Sequence, residues 1–316
     1  MKTILIILLL VHSGLLFGMG IKKSDADGSV FSRLLYPFLP TDWGSQVSLG
    51  NLIGGEEVTI NKEDFNSIVI FSGAAIGCTG AKIAESLYLL AGHCVIDYQT
   101  GKVKKILEAG SALSIRQSDK EWRKTKVVQT FTHPSYMREM QRRITEQDGH
   151  SYLAGFTSSD VALIKIKDSY SDISSSSISF DRVNNDEIVK IMGTGCEIST
   201  GSQAKYTRRL KVKDVKIINH EHAENNSARA QAKDIDLVNF LTEGKNFNNQ
   251  AASLCPGDSG GPVFTRDSKK IIGVNAYYTF NDNSGVAYTN LHTRLDLEDV
   301  KQWIEDIALD YNITLD

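Results

Sequence analysis

From residue 52 onward the chain alternates short apolar, β-branched runs with turn-forming residues: NSIVIFSG, SLYLLAGHC, TKVVQTFTH, VALIKIK, EIVKIMGTG, LKVKDVKII, GPVFTRD, KKIIGVNAYYTF and VAYTNLHTRL. Runs of this length bounded by Gly, Asn, Asp and Ser read as strands, and many in succession predict an all-β barrel or sandwich. The segment DLEDVKQWIEDIALDY differs: Val300, Trp303, Ile304 and Ile307 recur at helical spacing behind acidic residues, which predicts a closing amphipathic helix. Two polar stretches, 137–155 and 220–236, interrupt the strands and read as surface insertions.

The beginning of the chain has another pattern. Residues 1–20 carry Lys2, an apolar run from Ile4 to Val11, and small residues at Gly18 and Gly20. A charged start, a short apolar middle and a small-residue end make a secretory signal; the alternative, an uncleaved membrane anchor, has only a short run to work with. Residues 21–51 are rich in turn formers and have no sustained periodicity, as expected of a pro-segment. Export, to the medium or a periplasm, makes Cys78, Cys94, Cys196 and Cys255 readable as disulfides, in any of three pairings.

Composition narrows the function classes. Hydrophobic residues make up 41% and charged residues 23%, ordinary for a globular protein with a real core. The formal net charge of −3 and the scattered basic runs argue against a nucleic-acid partner. His220 and His222, with Glu221 and Glu224 nearby, suggest a metal site or a calcium site but lack a third clear ligand, and a solvated loop accounts for them. NNS at 225–227 and NIT at 312–314 accept N-glycans only in a eukaryotic secretory route.

The stretch SLCPGDSGGPVF, residues 253–264, is either a glycine-rich turn or a loop carrying a nucleophilic serine. Gly257, Gly260 and Gly261 around Ser259 allow backbone geometries that aim the N–H groups of Gly257 and Ser259 at one point, as an oxyanion hole requires. A serine hydroxyl is inert without a base, and a histidine base needs a carboxylate to fix its tautomer. His93 follows an apolar strand in YLLAGHCV, and Asp160 opens the apolar run SSDVALIKI. Each of these, standing alone, reads as an incidental strand-end residue.

Together they resemble a trypsin-like serine endopeptidase of the chymotrypsin fold, with LIGGEEV at 52, AGHC at 91, DVALIKI at 160 and CPGDSGGPVF at 255 in that family's order. THPSY (132–136) and the helix of Trp303 also fit the family. The resemblance implies two six-stranded antiparallel β-barrels with a C-terminal α-helix over residues 52–316. It implies Ser259 as nucleophile, His93 as base and then acid, Asp160 as its orienting carboxylate, and Gly257 and Ser259 as the oxyanion hole. It pairs Cys78 with Cys94, which leaves Cys196 with Cys255. It needs no metal or organic cofactor, takes protein or peptide substrates, and fits a monomer without a membrane span once the signal is removed.

The resemblance also implies activation. Cleavage before Leu52 by an activating protease frees an α-ammonium that pairs with Asp258; Asn51 departs from the Arg or Lys usual at such a cut. At the base of the primary pocket stands Ser253, not an aspartate, which disfavours Arg and Lys substrates. Ala276, Tyr277 and Tyr278 occupy the wall where the family often has Ser-Trp-Gly. A tyrosine there either narrows the pocket to small apolar side chains or, if the loop is displaced, leaves it deep enough for aromatics. The rival function is a protease-fold binding protein without catalysis, although His93, Asp160, Ser259, Gly257 and Asp258 are all present.

Overall fold

The computed structural model describes residues 52–315 apart from 53, 59–64, 73–76, 118–119, 147–150, 196–208, 220–234, 245–251 and 281–286. The signal and pro-segment readings, Cys196 and the pair His220 and His222 therefore lie outside the described residues.

Apolar runs become strands, and each strand meets its neighbours at the turns that end it. After β1 (Glu56–Glu57) come β2 (Ile68–Ser72), β3 (Thr79–Ala84), β4 (Leu87–Leu90), β5 (Ala112–Arg116), β6 (Arg123–Thr132) and β7 (Ala162–Ile166). The last six close on themselves in the order β2-β3-β4-β7-β6-β5, antiparallel throughout. Closure leaves no strand edge unpaired. The continuous apolar runs of β2 and β4 are buried almost throughout, whereas β6 buries only Thr125 and Val127 between exposed lysines. Phe71 meets Tyr88 edge-on inside this barrel, with ring centroids 6.0 Å apart. Burying each such side chain contributes about 1.5–3 kcal/mol.

The second half holds β8 (Ser177–Ile178), β9 (Ile188–Gly193), β10 (Lys211–Ile218), β11 (Asn239–Glu243), β12 (Pro262–Thr265), β13 (Lys270–Phe280) and β14 (Ala287–Arg294). Here β9-β10-β11-β14-β13-β12 form an antiparallel ring that closes back on β9. β1 extends the ring alongside β10, and β8 lies parallel to β13. Leu52 is wholly buried in this second core with Val189, Ile191, Val215 and Val263. The fold is thus the expected pair of six-stranded barrels.

Among the described residues three α-helices complete it: α1 (Gly92–Val95), α2 (Pro134–Thr145) and α3 (Glu298–Asp310). α3 is the expected closing helix. Val300, Ile304 and Ile307 are buried, Glu298 and Asp299 suit the positive end of its dipole, and Trp303 meets His133 edge-on at 5.2 Å. α2 gives helical structure to the start of the stretch 137–155 that reads as a surface insertion. Pro134 opens it, the His133 side chain accepts from the Ser135 N–H, and Tyr136 and Met140 bury one face at i,i+4 spacing. Met137 and Ile144 pack beside them on the same core, and on the polar side Glu139 forms ion pairs with Arg142 and Arg143. A 3₁₀ turn over Ser151–Phe156 then leads back to the first barrel.

Candidate active site

The buried strand β4 ends at Leu90, and α1 turns the chain so that His93 leaves the barrel at its rim. Two anchors hold this turn. Cys94 is bonded to Cys78 at the start of β3, closing a loop of sequence separation 16 and contributing about 3 kcal/mol by loop-closure entropy. The Lys104 ammonium donates to the carbonyls of His93 at 3.3 Å and Cys94 at 2.8 Å, satisfying the open end of the short helix. Burial drives the Lys104 pKa down to about 8, against the opposing pull of Asp97 and Asp160.

Asp160 precedes β7 and is fully buried. One carboxylate oxygen accepts the His93 backbone N–H at 2.7 Å, and the other faces His93 Nδ1 at 2.7 Å. A carboxylate only accepts, so Nδ1 carries the proton and the Nε2 lone pair is left free to act as a base. Burial first, and then the Asp160 charge, hold the phenols of Tyr98, Tyr136 and Tyr277 above the ordinary tyrosine value. Tyr277 also leans on the imidazole of His93, with centroids 5.2 Å apart, and on Phe156 at 4.9 Å.

The Ser259 loop comes from the other barrel and is clamped to the first by Thr79. The Thr79 N–H donates to the Ser259 carbonyl at 2.9 Å, and its hydroxyl donates to the Gly257 carbonyl at 2.9 Å. Gly257 and Gly260 have φ of +102° and +80°, conformations that favour glycine. A Cβ on Gly260 would overlap the Thr79 carbonyl and lie 3.1 Å from the Ala91 nitrogen, so the loop approaches the His93 turn backbone to backbone. Ser259 is half-buried there. Among the described residues, neither the Gly257 nor the Ser259 N–H donates to a protein acceptor.

Chemically, the arrangement offers a base with a fixed tautomer on one barrel and, clamped to that barrel, a hydroxyl-bearing loop whose Gly257 and Ser259 N–H groups donate to no acceptor among the described residues. A sequence comparison matches residues 52–304 to Trypsin. The chain belongs to the trypsin family. No curated protein matches it. As a member of the trypsin-like serine proteases it is built for peptide substrates.

Within that family frame, the structure does not join Leu52 and Asp258 in an ion pair. The continuous chain has an amide, not an ammonium, at Leu52, whose side chain sits in the second core. The Asp258 carboxylate accepts instead from the N–H groups of Gly195 at 2.7 Å and Cys255 at 2.9 Å. Burial outweighs those two bonds and pushes its pKa up to about 7. Cys255 is disulfide-bonded, while Cys196 lies outside the described residues. Among the described residues, Cys78, His93 and Cys94 bring their possible ligand atoms within 4.8 Å of one another, but both sulfurs are in the disulfide and His93 pairs with Asp160.

At the expected specificity pocket, Ser253 and Ala276 are buried, and Tyr277 and Tyr278 are half-buried. Sequence reading missed two polar residues behind the Ser259 loop, Asn290 and His292, both fully buried on β14. Asn290 pairs with Tyr278 across β13 and β14, and His292 pairs with Asn275. The signal for them was two polar side chains two apart, on one face of a predicted strand.

Proposed function

We propose that the chain is a secreted serine endopeptidase working through Ser259, His93 and Asp160. The observation that carries this reading is the doubly held His93–Asp160 pair, which fixes the imidazole tautomer. Ser259 Oγ attacks the scissile carbonyl carbon as its proton passes to His93 Nε2, and the carbonyl oxygen becomes an oxyanion. The N–H groups of Gly257 and Ser259 stabilise that charge. Collapse expels the amine, which takes the proton from Nε2, and leaves an acyl ester on Ser259. Water then repeats the sequence, giving its proton to Nε2 and releasing the acid with the serine restored.

The leader is removed before Leu52 by a separate protease, freeing an ammonium for Asp258. A buried carboxyl hydrogen-bonded by two backbone N–H groups and held near pH 7 is a receptive partner for that cation. The Cys196–Cys255 bridge and the export signal belong to the same reading. No metal or cofactor takes part.

The test compares the intact chain, a form cut before Leu52 through an inserted processing site, and Ser259→Ala in the cut form, each given an unfolded protein substrate. The cut form yields internal fragments, the intact chain is far slower, and Ser259→Ala loses about 10⁶ in kcat. Equal rates in the intact and cut forms would remove activation from the account. A folded cut form that leaves the substrate whole would make the chain a noncatalytic binding protein.

A further inference from the structure

We propose that Thr79 is a positioning residue for the oxyanion hole, holding the Ser259 loop so that Gly257 and Ser259 present their N–H groups before substrate arrives. This rests on the endopeptidase reading above and adds to that same site a residue from the opposite barrel. Thr79 begins β3 and is fully buried. Its hydroxyl has three neighbours: the Gly257 carbonyl at 2.9 Å, the Thr194 hydroxyl at 2.8 Å and the Thr194 N–H at 3.2 Å.

The direction of each bond follows from the groups themselves. A hydroxyl has one proton and two lone pairs. The Gly257 carbonyl can only accept, so it takes the Thr79 proton. The Thr194 N–H can only donate, so it fills one lone pair. That leaves the Thr194 hydroxyl to donate to the other. The Thr79 oxygen is then saturated, and turning it away would strand buried groups on both sides, a cost that opposes the movement.

Three pieces of chain meet at this oxygen. Thr79 belongs to the first barrel, Thr194 follows β9 in the second, and Gly257 lies in the Ser259 loop. The segment of Thr194 also serves Asp258, because the Gly195 N–H donates to that carboxylate at 2.7 Å. The Thr79 backbone adds one more bond, from its N–H to the Ser259 carbonyl at 2.9 Å. Both residues assigned to the oxyanion hole therefore have their own carbonyl tied to Thr79, while neither N–H donates to an acceptor among the described residues. Gly257 needs such a tie. At φ +102° it occupies a region that glycine enters and leaves freely, so its own backbone does little to keep it there. The preceding residue completes the arrangement: Cys78 holds the His93 turn through Cys94, and Thr79 holds the Ser259 loop. Two consecutive residues thus set base and nucleophile in one frame.

The experiment uses the full chain cut before Leu52 and two variants. Thr79→Val keeps the branched shape without the hydroxyl, and Thr79→Ser keeps the hydroxyl. Peptide p-nitroanilide kinetics are compared with inhibition by two matched peptides, a trifluoromethyl ketone and the corresponding alcohol. On the ketone, Ser259 Oγ adds to the carbonyl carbon as its proton passes to His93 Nε2, leaving an oxyanion; the alcohol forms none. Thr79→Val lowers kcat by about 10–100-fold with KM nearly unchanged, somewhat less than outright loss of an oxyanion donor costs. The inhibition constant of the ketone rises by a similar factor, that of the alcohol stays, and Thr79→Ser recovers most of both losses. Thr194→Val removes one donor to Thr79 and moves kcat and ketone inhibition the same way to a smaller extent, which covers the case in which Thr79→Val does not fold. An unchanged kcat in a folded variant, or equal weakening of ketone and alcohol, would overturn the proposal. A folded parent that neither cleaves the anilides nor labels with a fluorophosphonate would instead overturn the endopeptidase reading, and this proposal with it.

Discussion

Asp160 holds His93 twice, by the backbone N–H at 2.7 Å and by Nδ1 at 2.7 Å. One carboxylate thus fixes both where the imidazole stands and which nitrogen carries the proton.

Asp160→Asn separates those two effects. The amide oxygen can still accept the His93 N–H, but the amide nitrogen then points its protons at Nδ1. The proton moves to Nε2, and the base is lost with little change in position. We expect kcat to fall by about 10⁴ with KM nearly unchanged. Steady-state kinetics on a peptide anilide checks this; a loss confined to KM contradicts the assigned role.

The Asp258 cradle tolerates no side chain at Gly193. A Cβ there would overlap Asp258 Oδ1, and the carboxyl has no open space to retreat into because it is fully buried. Gly193→Ala should destabilise by about 1–3 kcal/mol, as overpacking does. It should also slow acylation by shifting the backbone of Ser259. Urea unfolding and stopped-flow acylation measure the two effects separately.

Lys104 is expected to matter for rate without touching substrate. Lys104→Met keeps the buried stem and removes the donors that satisfy the His93 and Cys94 carbonyls. Stability should drop by about 1–3 kcal/mol, the cost of stranding a buried acceptor. The drop in kcat should be shared by all peptide substrates, because what moves is the turn that carries His93.

Two buried groups give stability opposite pH dependences. His292 is lowered from 6.5 to about 3, so the unfolded chain binds the extra proton; the stability it contributes is present above about pH 6.5 and lost as pH falls toward 3. Asp258 is raised from 3.8 to about 7, so its contribution is full below pH 3.8 and lost as pH rises through 7. Asp258→Asn removes the second effect only. Relative to the intact parent chain, that variant should gain up to about 1.4 kcal/mol per pH unit between about pH 4 and 7. Urea midpoints at pH 4, 5, 6 and 7 provide the check, and a pH-independent difference contradicts it.

The fold was legible because strand and turn residues alternate openly in the chain, and α3 because its apolar residues keep helical spacing. α2 was overlooked although Tyr136, Met137, Met140 and Ile144 keep helical spacing: the Arg and Glu residues among them made the stretch read as polar surface. The site residues His93, Asp160 and Ser259 stood out by motif. The structure adds Thr79, which binds the Ser259 loop to the first barrel through contacts 178 and more residues apart. Nothing in the sequence around a lone threonine announces such a role. Asn290 and His292 were missed for a related reason. A polar residue in a strand is read as facing solvent, and only the assembled barrel shows that each of their hydrogen-bonding groups finds a buried partner.

The central claim is that Ser259 is a nucleophile activated by His93. The most direct measurement treats the form cut before Leu52 with a fluorophosphonate and locates the adduct by mass spectrometry, with Ser259→Ala and His93→Ala as controls. The account predicts one adduct, on Ser259, absent in Ser259→Ala and formed orders of magnitude more slowly in His93→Ala. A folded protein that stays unlabelled, or that labels Ser259 at the same rate without His93, would contradict it.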